Sequence, residues 1–458
     1  VRWRWLFVGG GLLGCAPAEP GAPSERAWLV AQLTQDNQRW LTRDHTLLAT
    51  KLQAMEDDPY DFMRGSVSVF FADLQRPREG RPQTSFLREA AATEVLLIGD
   101  PHPENFGTFL PAGAVDPLRE LRIDVQDLDA AVYGPWWVDL RRAAVGLAVL
   151  LDDLPRCAPD PCQWAAVGAL VQGYAAQVLR RADGGAPVDR TLAGGHGALV
   201  DGLLLQAAEE GAAGERLARE TTPGPPPSLR LDEALDRSGS GTLALTGPEA
   251  ERVDALWALW SAGVDARQLD AARVFGRGVA SLPAERYVVL WQAAGGAPEL
   301  LLLREVVDPP VVPGLFAPID GVFDSAHERV PDATLQLWSA PGLDPSMGGV
   351  ADGGMAFKSQ AWSSYQLAFD HGDLRDEIRD GVGVPEVLRL GELLGRLLAD
   401  AHCNATTLWG EAAAPVLAED LAGREALLSE ELVEAVRDDA ARSRWWWELL
   451  AQARAELG

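Results

Sequence analysis

The sequence predicts an α+β fold in which a small lobe of mixed strands, around residues 265–305, packs on a larger helical lobe. Three observations lead there. Apolar residues recur at helical spacing over long stretches: Leu140, Ala144, Leu147 and Leu151, then about Gln163–Arg181, then Val387, Leu390, Leu394, Leu397 and Ala401. Three strand-like stretches, Val274-Phe275, Arg286–Trp291 and Leu300–Leu303, follow one another across turns and read as antiparallel neighbours. A wholly apolar run, Val95-Leu96-Leu97-Ile98, ends at Gly99-Asp100 and reads as a buried strand feeding a functional loop. The chain has 458 residues, 47% hydrophobic and 23% charged, so apolar material is ample, two or three lobes are expected, and disordered and fibrous classes are excluded.

Taken in order, the amino terminus reads as an export signal. Arg2 and Arg4 precede a short apolar stretch, Trp5–Leu13, too short to span a bilayer, and Cys15 follows Gly14. This resembles a bacterial lipoprotein signal, which implies a signal peptide over 1–14, lipidation of Cys15, a linker over 15–26 and an envelope location facing the periplasm. The alternative is a cytoplasmic protein with a misassigned start, suggested by Val1. Starting instead at Met55 would delete a helix expected over Glu25–Ala54.

Farther along, Leu121, Ile123 and Val125 alternate with Arg122 and Asp124, predicting a strand with one buried face. Cys157 and Cys162, in Cys-Ala-Pro-Asp-Pro-Cys, are placed to pair in an oxidising compartment; a metal site is the weaker reading. Residues 184–250 are rich in Gly and Pro and predict mobile helices and loops, and 306–356 read as loop-rich. A helix begins at Pro385 and ends near His402, which suits the negative end of its dipole, and Trp445–Trp447 lie in a closing helix. Cys403 reads as a buried small hydrophobe.

Charge limits the partners. With 40 basic and 67 acidic residues the formal charge is -27, so phosphate backbones and anionic membrane surfaces are repelled. No nucleic-acid partner is expected, and membrane contact only through the lipid at Cys15. Two of the 40 basic residues are lysines, Lys51 and Lys358; the other 38 are arginines.

The chemistry concentrates in Gly99-Asp100-Pro101-His102-Pro103-Glu104-Asn105-Phe106, then Asp127-Leu128-Asp129, then Gly134-Pro135-Trp136-Trp137-Val138-Asp139-Leu140. Phosphoryl transfer needs a carboxylate to orient the acceptor hydroxyl and oxygen ligands for a divalent ion. Asp100 supplies the first, and Asn105 with Asp127 and Asp129 the second. Each alone is also what shapes an ordinary turn. The ordered set is similar to the catalytic segment of aminoglycoside phosphotransferase and other protein-kinase-like enzymes. That resemblance implies Asp100 as base, Asn105 and Asp127 as Mg2+ ligands and Asp139 as a buttress. A second resemblance is to the bacterial domain of unknown function 2252 family. It is carried over about 50–405 by Phe62-Met63-Arg64-Gly65, Gly99-Asp100-x-His102-x-x-Asn105-Phe106-Gly107, Asp124-x-x-Asp127-x-Asp129, Gly134-Pro135-Trp136-x-x-Asp139-Leu140-x-Arg142 and Ala399-Asp400-Ala401-His402.

Within the kinase-like frame, Gly276-Arg277-Gly278-Val279-Ala280-Ser281 offers a nucleotide loop through Gly276, Gly278 and Ser281, although an ordinary hairpin would read the same. It follows the acidic loop by some 170 residues, which implies lobes permuted in sequence. Arg304 stands where the phosphate-binding lysine is expected, and an arginine fork is not a compact ammonium. Lys358 is a conceivable substitute, though a solvated lysine is the simpler reading. His102 reads as a catalytic candidate or a strut, Arg64 as a partner of phosphate or of a loop carboxylate, and Trp136 and Trp137 as core or pocket wall. Motifs of Walker-type sites, zincins, thioredoxin-like redox proteins and α/β-hydrolases are absent from the sequence. The expectation is a kinase-like phosphotransferase using ATP and Mg2+ on an unknown small-molecule or protein acceptor. Its alternatives are a non-catalytic envelope-anchored binding lipoprotein and a metal-dependent phosphohydrolase.

Overall fold

The computed structural model describes residues 24–77, 86–87, 93–152, 154, 161–232, 240–276, 278–320, 322–323, 325–338, 344 and 346–457. The signal segment, Cys15, Cys157 and Arg277 lie outside the described residues. No helix among the described residues is long and apolar enough to cross a membrane.

The chain enters through four helices, α1 (Glu25–Arg43), α2 (His45–Asp57), α3 (Pro59–Gly65) and α4 (Val67–Gln75). The single helix expected over 25–54 is broken at Asp44, whose carboxylate accepts from Leu47 N at 3.0 Å and so caps a second helix. Asp58 repeats the device one helix later, accepting from Tyr60 N at 2.7 Å.

Two antiparallel ribbons follow: β1 (Glu94–Leu97) pairs with β4 (Val132–Pro135), and β2 (Phe106–Phe109) with β3 (Arg122–Val125); later in the chain a shorter ribbon pairs β5 (Thr221–Thr222) with β6 (Ser228–Leu229). The strand expected to bury one face buries both, because Asp124, fully enclosed, meets Arg190 Nε at 3.0 Å. The helix Trp137–Leu151 is buried on all fifteen residues rather than along one stripe. Beside it the helices Pro161–Ala182 and Val384–Asn404 lie in backbone contact: a Cβ on Gly395 would stand 2.0 Å from Leu170 O. The closing helix runs Glu425–Leu457, and its Trp446 and Leu450 pack with α1, α2 and α3.

The second layer is a six-stranded sheet in the order β11-β12-β10-β9-β8-β7, formed by β7 (Gly241–Leu243), β8 (Ala266–Phe275), β9 (Arg286–Ala293), β10 (Pro298–Val306), β11 (Gly348–Asp352) and β12 (Met355–Ala361). It is larger than the lobe expected over 265–305, and among the described residues its pairings are all antiparallel rather than mixed, with β9–β10 and β11–β12 joined by short hairpins. One face, with Tyr287, Val289 and Leu303, is covered by Val253 and Leu256 of the helix Gly247–Trp260. The other carries Val288, Leu290 and Leu300. Residues 184–250 hold more regular structure than expected, notably the helix Ala198–Ala213, and the loop-rich 306–356 contains the helix Ala326–Leu337. The α+β class is thus what the chain adopts.

Candidate functional site

The loop after β1 is held by its own residues. Gly99 has φ +88°, and a Cβ there would stand 2.0 Å from Ala130 O, so only glycine lets the two acidic segments pass this closely. Asp139, fully buried at the start of its helix, accepts from Ile98 N at 2.6 Å and Gly99 N at 3.0 Å. Its Oδ2 also lies 3.2 Å from His402 Nε2, while His402 Nδ1 meets Tyr174 OH at 2.8 Å. His402, in the last turn of its helix as expected, is therefore also a fully buried link between helices and the loop. Asn105 closes the loop on itself: Nδ2 donates to Asp100 O at 2.6 Å, and its own carbonyl accepts from Gln126 N at 2.8 Å, which sets it beside Asp127.

Asp100 is buried, with Oδ1 on Arg142 Nε at 2.7 Å; Arg142 in turn donates to Met63 O at 2.7 Å. Burial raises the Asp100 pKa above the usual carboxylate value, with Arg142 opposing. His102 Nε2 stands 3.8 Å from Asp100 Oδ2, and its buried Nδ1 has no hydrogen-bond partner among the described residues. Burial, then the charges of Arg64 and Arg142, push His102 well below its ordinary pKa, so it is neutral at pH 7.

Asp127 and Asp129 face cations delivered by strand register. Arg286, Arg304 and Lys358 occupy one rung across β9, β10 and β12, and directly opposed residues share a face. Arg304 Nη2 reaches Asp127 Oδ1 at 2.7 Å and Asp129 Oδ2 at 2.5 Å; Lys358 Nζ reaches Asp129 Oδ1 at 2.6 Å and Asp127 Oδ1 at 3.6 Å. Against the opposing effect of burial, Arg304 and Lys358 hold Asp127 far below the usual carboxylate range. Lys358 is thus buried and ion-paired rather than solvated, and Arg304, expected on a phosphate, is engaged by both carboxylates. Arg329 locks the same loop: fully buried, it donates to Asp129 O at 2.7 Å, Ala131 O at 3.1 Å and Val307 O at 3.0 Å.

These parts line one cleft. Its walls include Lys51, Arg64, Asp100, His102, Asn105, Asp127, Asp129, Gly278, Ser281, Arg286 and Arg304. Gly276, expected with them, is not in the lining. The glycine turn is seated rather than free: Val279 packs with Leu52, Met55 and Phe62 of α2 and α3, and Arg286 donates to Ser281 Oγ at 2.7 Å. Burial and the adjacent Arg304 bring Arg286 down to about 9, still cationic at neutral pH. Arg64 takes the carboxylate option, with Nη2 on Glu104 at 2.6 Å and Nη1 on Asp61 at 3.0 Å.

Glu104 also accepts from His371 N at 2.8 Å and lies 2.7 Å from His371 Nδ1. With Asp370 these two form a group whose ligand atoms lie within 4.8 Å of one another. Arg64 already occupies Glu104, and Asp370 caps its helix through Gly372 N and Asp373 N, so this group is accounted for by the fold. The sequence offers no signal for it, nor for the pairings of Arg142, Arg286 and Lys358, because their partners are remote. Cys162 is disulfide-bonded. Trp136 is core, fully buried and stacked on Tyr174.

Residues 43–191 match the model of a family described as "Uncharacterized protein conserved in bacteria (DUF2252)", which bears out the family resemblance over that segment. No curated protein and no solved structure matches the chain.

Proposed function

We propose that the cleft is the site of a kinase-like phosphotransferase, with the sheet acting as a small lobe that follows the acidic loop in sequence. One observation carries the reading: Asp100, Asn105, Asp127 and Asp129 line the same cleft as the Gly278–Ser281 turn and Arg304, although some 150–200 residues separate the two groups. Asn105, Asp127 and Asp129 offer the hard oxygen donors that Mg2+ prefers and would hold it. Bound there, Mg2+ would neutralise phosphate charge.

The chain's own residues supply the rest. Asp100 Oδ1 is fixed by Arg142, which leaves Oδ2 to receive a proton, and its raised pKa suits a base working near neutral pH. In the proposed step the acceptor hydroxyl oxygen bonds to the terminal phosphorus of ATP. The bond from that phosphorus to the ADP oxygen breaks, and the hydroxyl proton passes to Asp100 Oδ2. Arg304 exchanges carboxylate contacts for phosphate oxygens.

A second reading, a binding protein without turnover, is favoured by the engagement of Arg304 and Lys358 with Asp127 and Asp129. Isothermal titration of ATP with Mg2+ tests both. Micromolar affinity lost in Asp127→Asn supports the site, and ATP consumption at that site separates turnover from binding. Absence of binding to folded protein overturns the phosphotransferase reading.

A further inference from the structure

Lys51 is a cation of the cleft that makes no ion pair with the acidic loops among the described residues. It lies on α2 with its side chain 3% exposed, yet it lines the same cleft as Asp100, Ser281 and Arg304. Asn37 on α1 orients it: the amide Nδ2 donates to Leu33 O at 2.8 Å, which turns Oδ1 to accept from Lys51 Nζ at 2.8 Å. The carboxylate of Asp36 stands 3.9 Å away, beyond hydrogen-bond reach. An ammonium has three donors, so two have no acceptor among the described residues. A buried charge paired this incompletely is unfavourable unless a further partner arrives.

The surroundings select the kind of partner. Trp40, Val67 and Val279 are apolar members of the same cleft lining, and a charged acceptor screened by such groups interacts more strongly with Lys51 than in water. The residue type is itself informative. Only two of 40 basic residues are lysines, and one, Lys358, is bound to the acidic pair of the site while the other opens on the same cleft. A compact ammonium can meet a single oxygen end-on where a planar fork needs two.

We infer that Lys51 binds a phosphoryl oxyanion of the ligand, a contact made from the helical wall and separate from that of Arg304; the inference deepens the phosphotransferase reading and rests on it. The test titrates inorganic pyrophosphate without added metal, and Mg2+ with ATP, into the wild-type protein, Lys51→Met, Asn37→Asp and Asp127→Asn. Lys51→Met keeps the stem and removes the charge, and is expected to weaken pyrophosphate at least tenfold with no fall in melting temperature. Asn37→Asp retains the lysine but supplies a competing carboxylate, and is expected to weaken pyrophosphate as well, with some loss of stability because a carboxylate cannot donate to Leu33 O. Asp127→Asn is expected to weaken Mg2+ with ATP, which reads the proposed metal site apart from the Lys51 contact. A purely structural lysine gives the opposite pattern, lower melting temperature with unchanged affinity, and that result overturns the inference. If ATP binds wild type and Lys51→Met equally, Lys51 is excluded while the nucleotide reading stands. If pyrophosphate binds through Lys51 but ATP does not bind, the nucleotide reading falls and the oxyanion contact stands. If the wild type binds neither, both fall.

Discussion

Replacing Asp139 by Asn probes how the acidic loop is held. The native carboxylate, wholly buried, accepts from Ile98 N at 2.6 Å and Gly99 N at 3.0 Å, with one oxygen for each donor. An amide of the same shape has one accepting oxygen, so its NH2 must face one of these N–H groups. Leaving a buried donor unsatisfied costs about 1–3 kcal/mol, and the remaining bond loses its charge assistance, worth about 1 kcal/mol more. The sum is about 3 kcal/mol, a large share of the 5–15 kcal/mol typical of a folded domain. Chemical denaturation followed by tryptophan fluorescence, with 16 tryptophans as reporters, should show that loss. Native-state exchange of the Ile98 and Gly99 amides should quicken about a hundredfold, at about 1.4 kcal/mol per factor of ten. A stability change under about 1 kcal/mol with unchanged exchange at both amides would refute the assignment of Asp139 as the anchor of this loop.

Three further outcomes are expected. Gly99→Ala should destabilise by about 2–4 kcal/mol, since it combines a positive φ with overlap on Ala130 O, whereas Gly113→Ala, with φ +76° and open space around it, should lose about 1 kcal/mol; equal losses would remove the steric part of the argument. For His371, burial disfavours the charge, but the hydrogen bond and charge of Glu104, with Asp61 and Asp58, outweigh it and raise the pKa. A raised histidine pKa adds stability below the unfolded value of about 6.5, and that contribution is lost as pH rises through the folded value. NMR titration should therefore place His371 above about 6.5 and bring it down in Glu104→Gln, an unchanged titration being the contrary result. Burial pushes the Cys403 thiol up to about 12, so native protein at pH 8 should leave Cys403 unalkylated over a period in which unfolded protein reacts fully; rapid native labelling would contradict the burial.

Much of the site was legible in the chain because its first half is local. Asp100 and Asn105 belong to one loop and Asp127 and Asp129 to one turn, and spacing carries that information. The helices after Trp137 and Pro385 declared themselves by period. The residues that neutralise the acids were not legible as such. Lys358 looked solvated because nothing within several residues of it is acidic; it is buried because β12 pairs with β10 in the register that sets it opposite Arg304. The break at Asp44 was missed because a capping aspartate inside a helical pattern resembles any other polar position.

Sequence alone determined the α+β class, the main helices, the buried strand before Gly99 and the acidic residues of the loop, since these depend on periodicity and on neighbours a few residues apart. Tertiary structure alone decided that the sheet has six strands and extends to 361, and that Arg286, Arg304 and Lys358 form one rung against Asp127 and Asp129. It also decided that Lys51 of α2 faces the same cleft. The physical reason is the distance over which charges and hydrogen bonds act. They join groups within a few ångströms whatever their separation along the chain, and strand register and helix packing choose which groups those are.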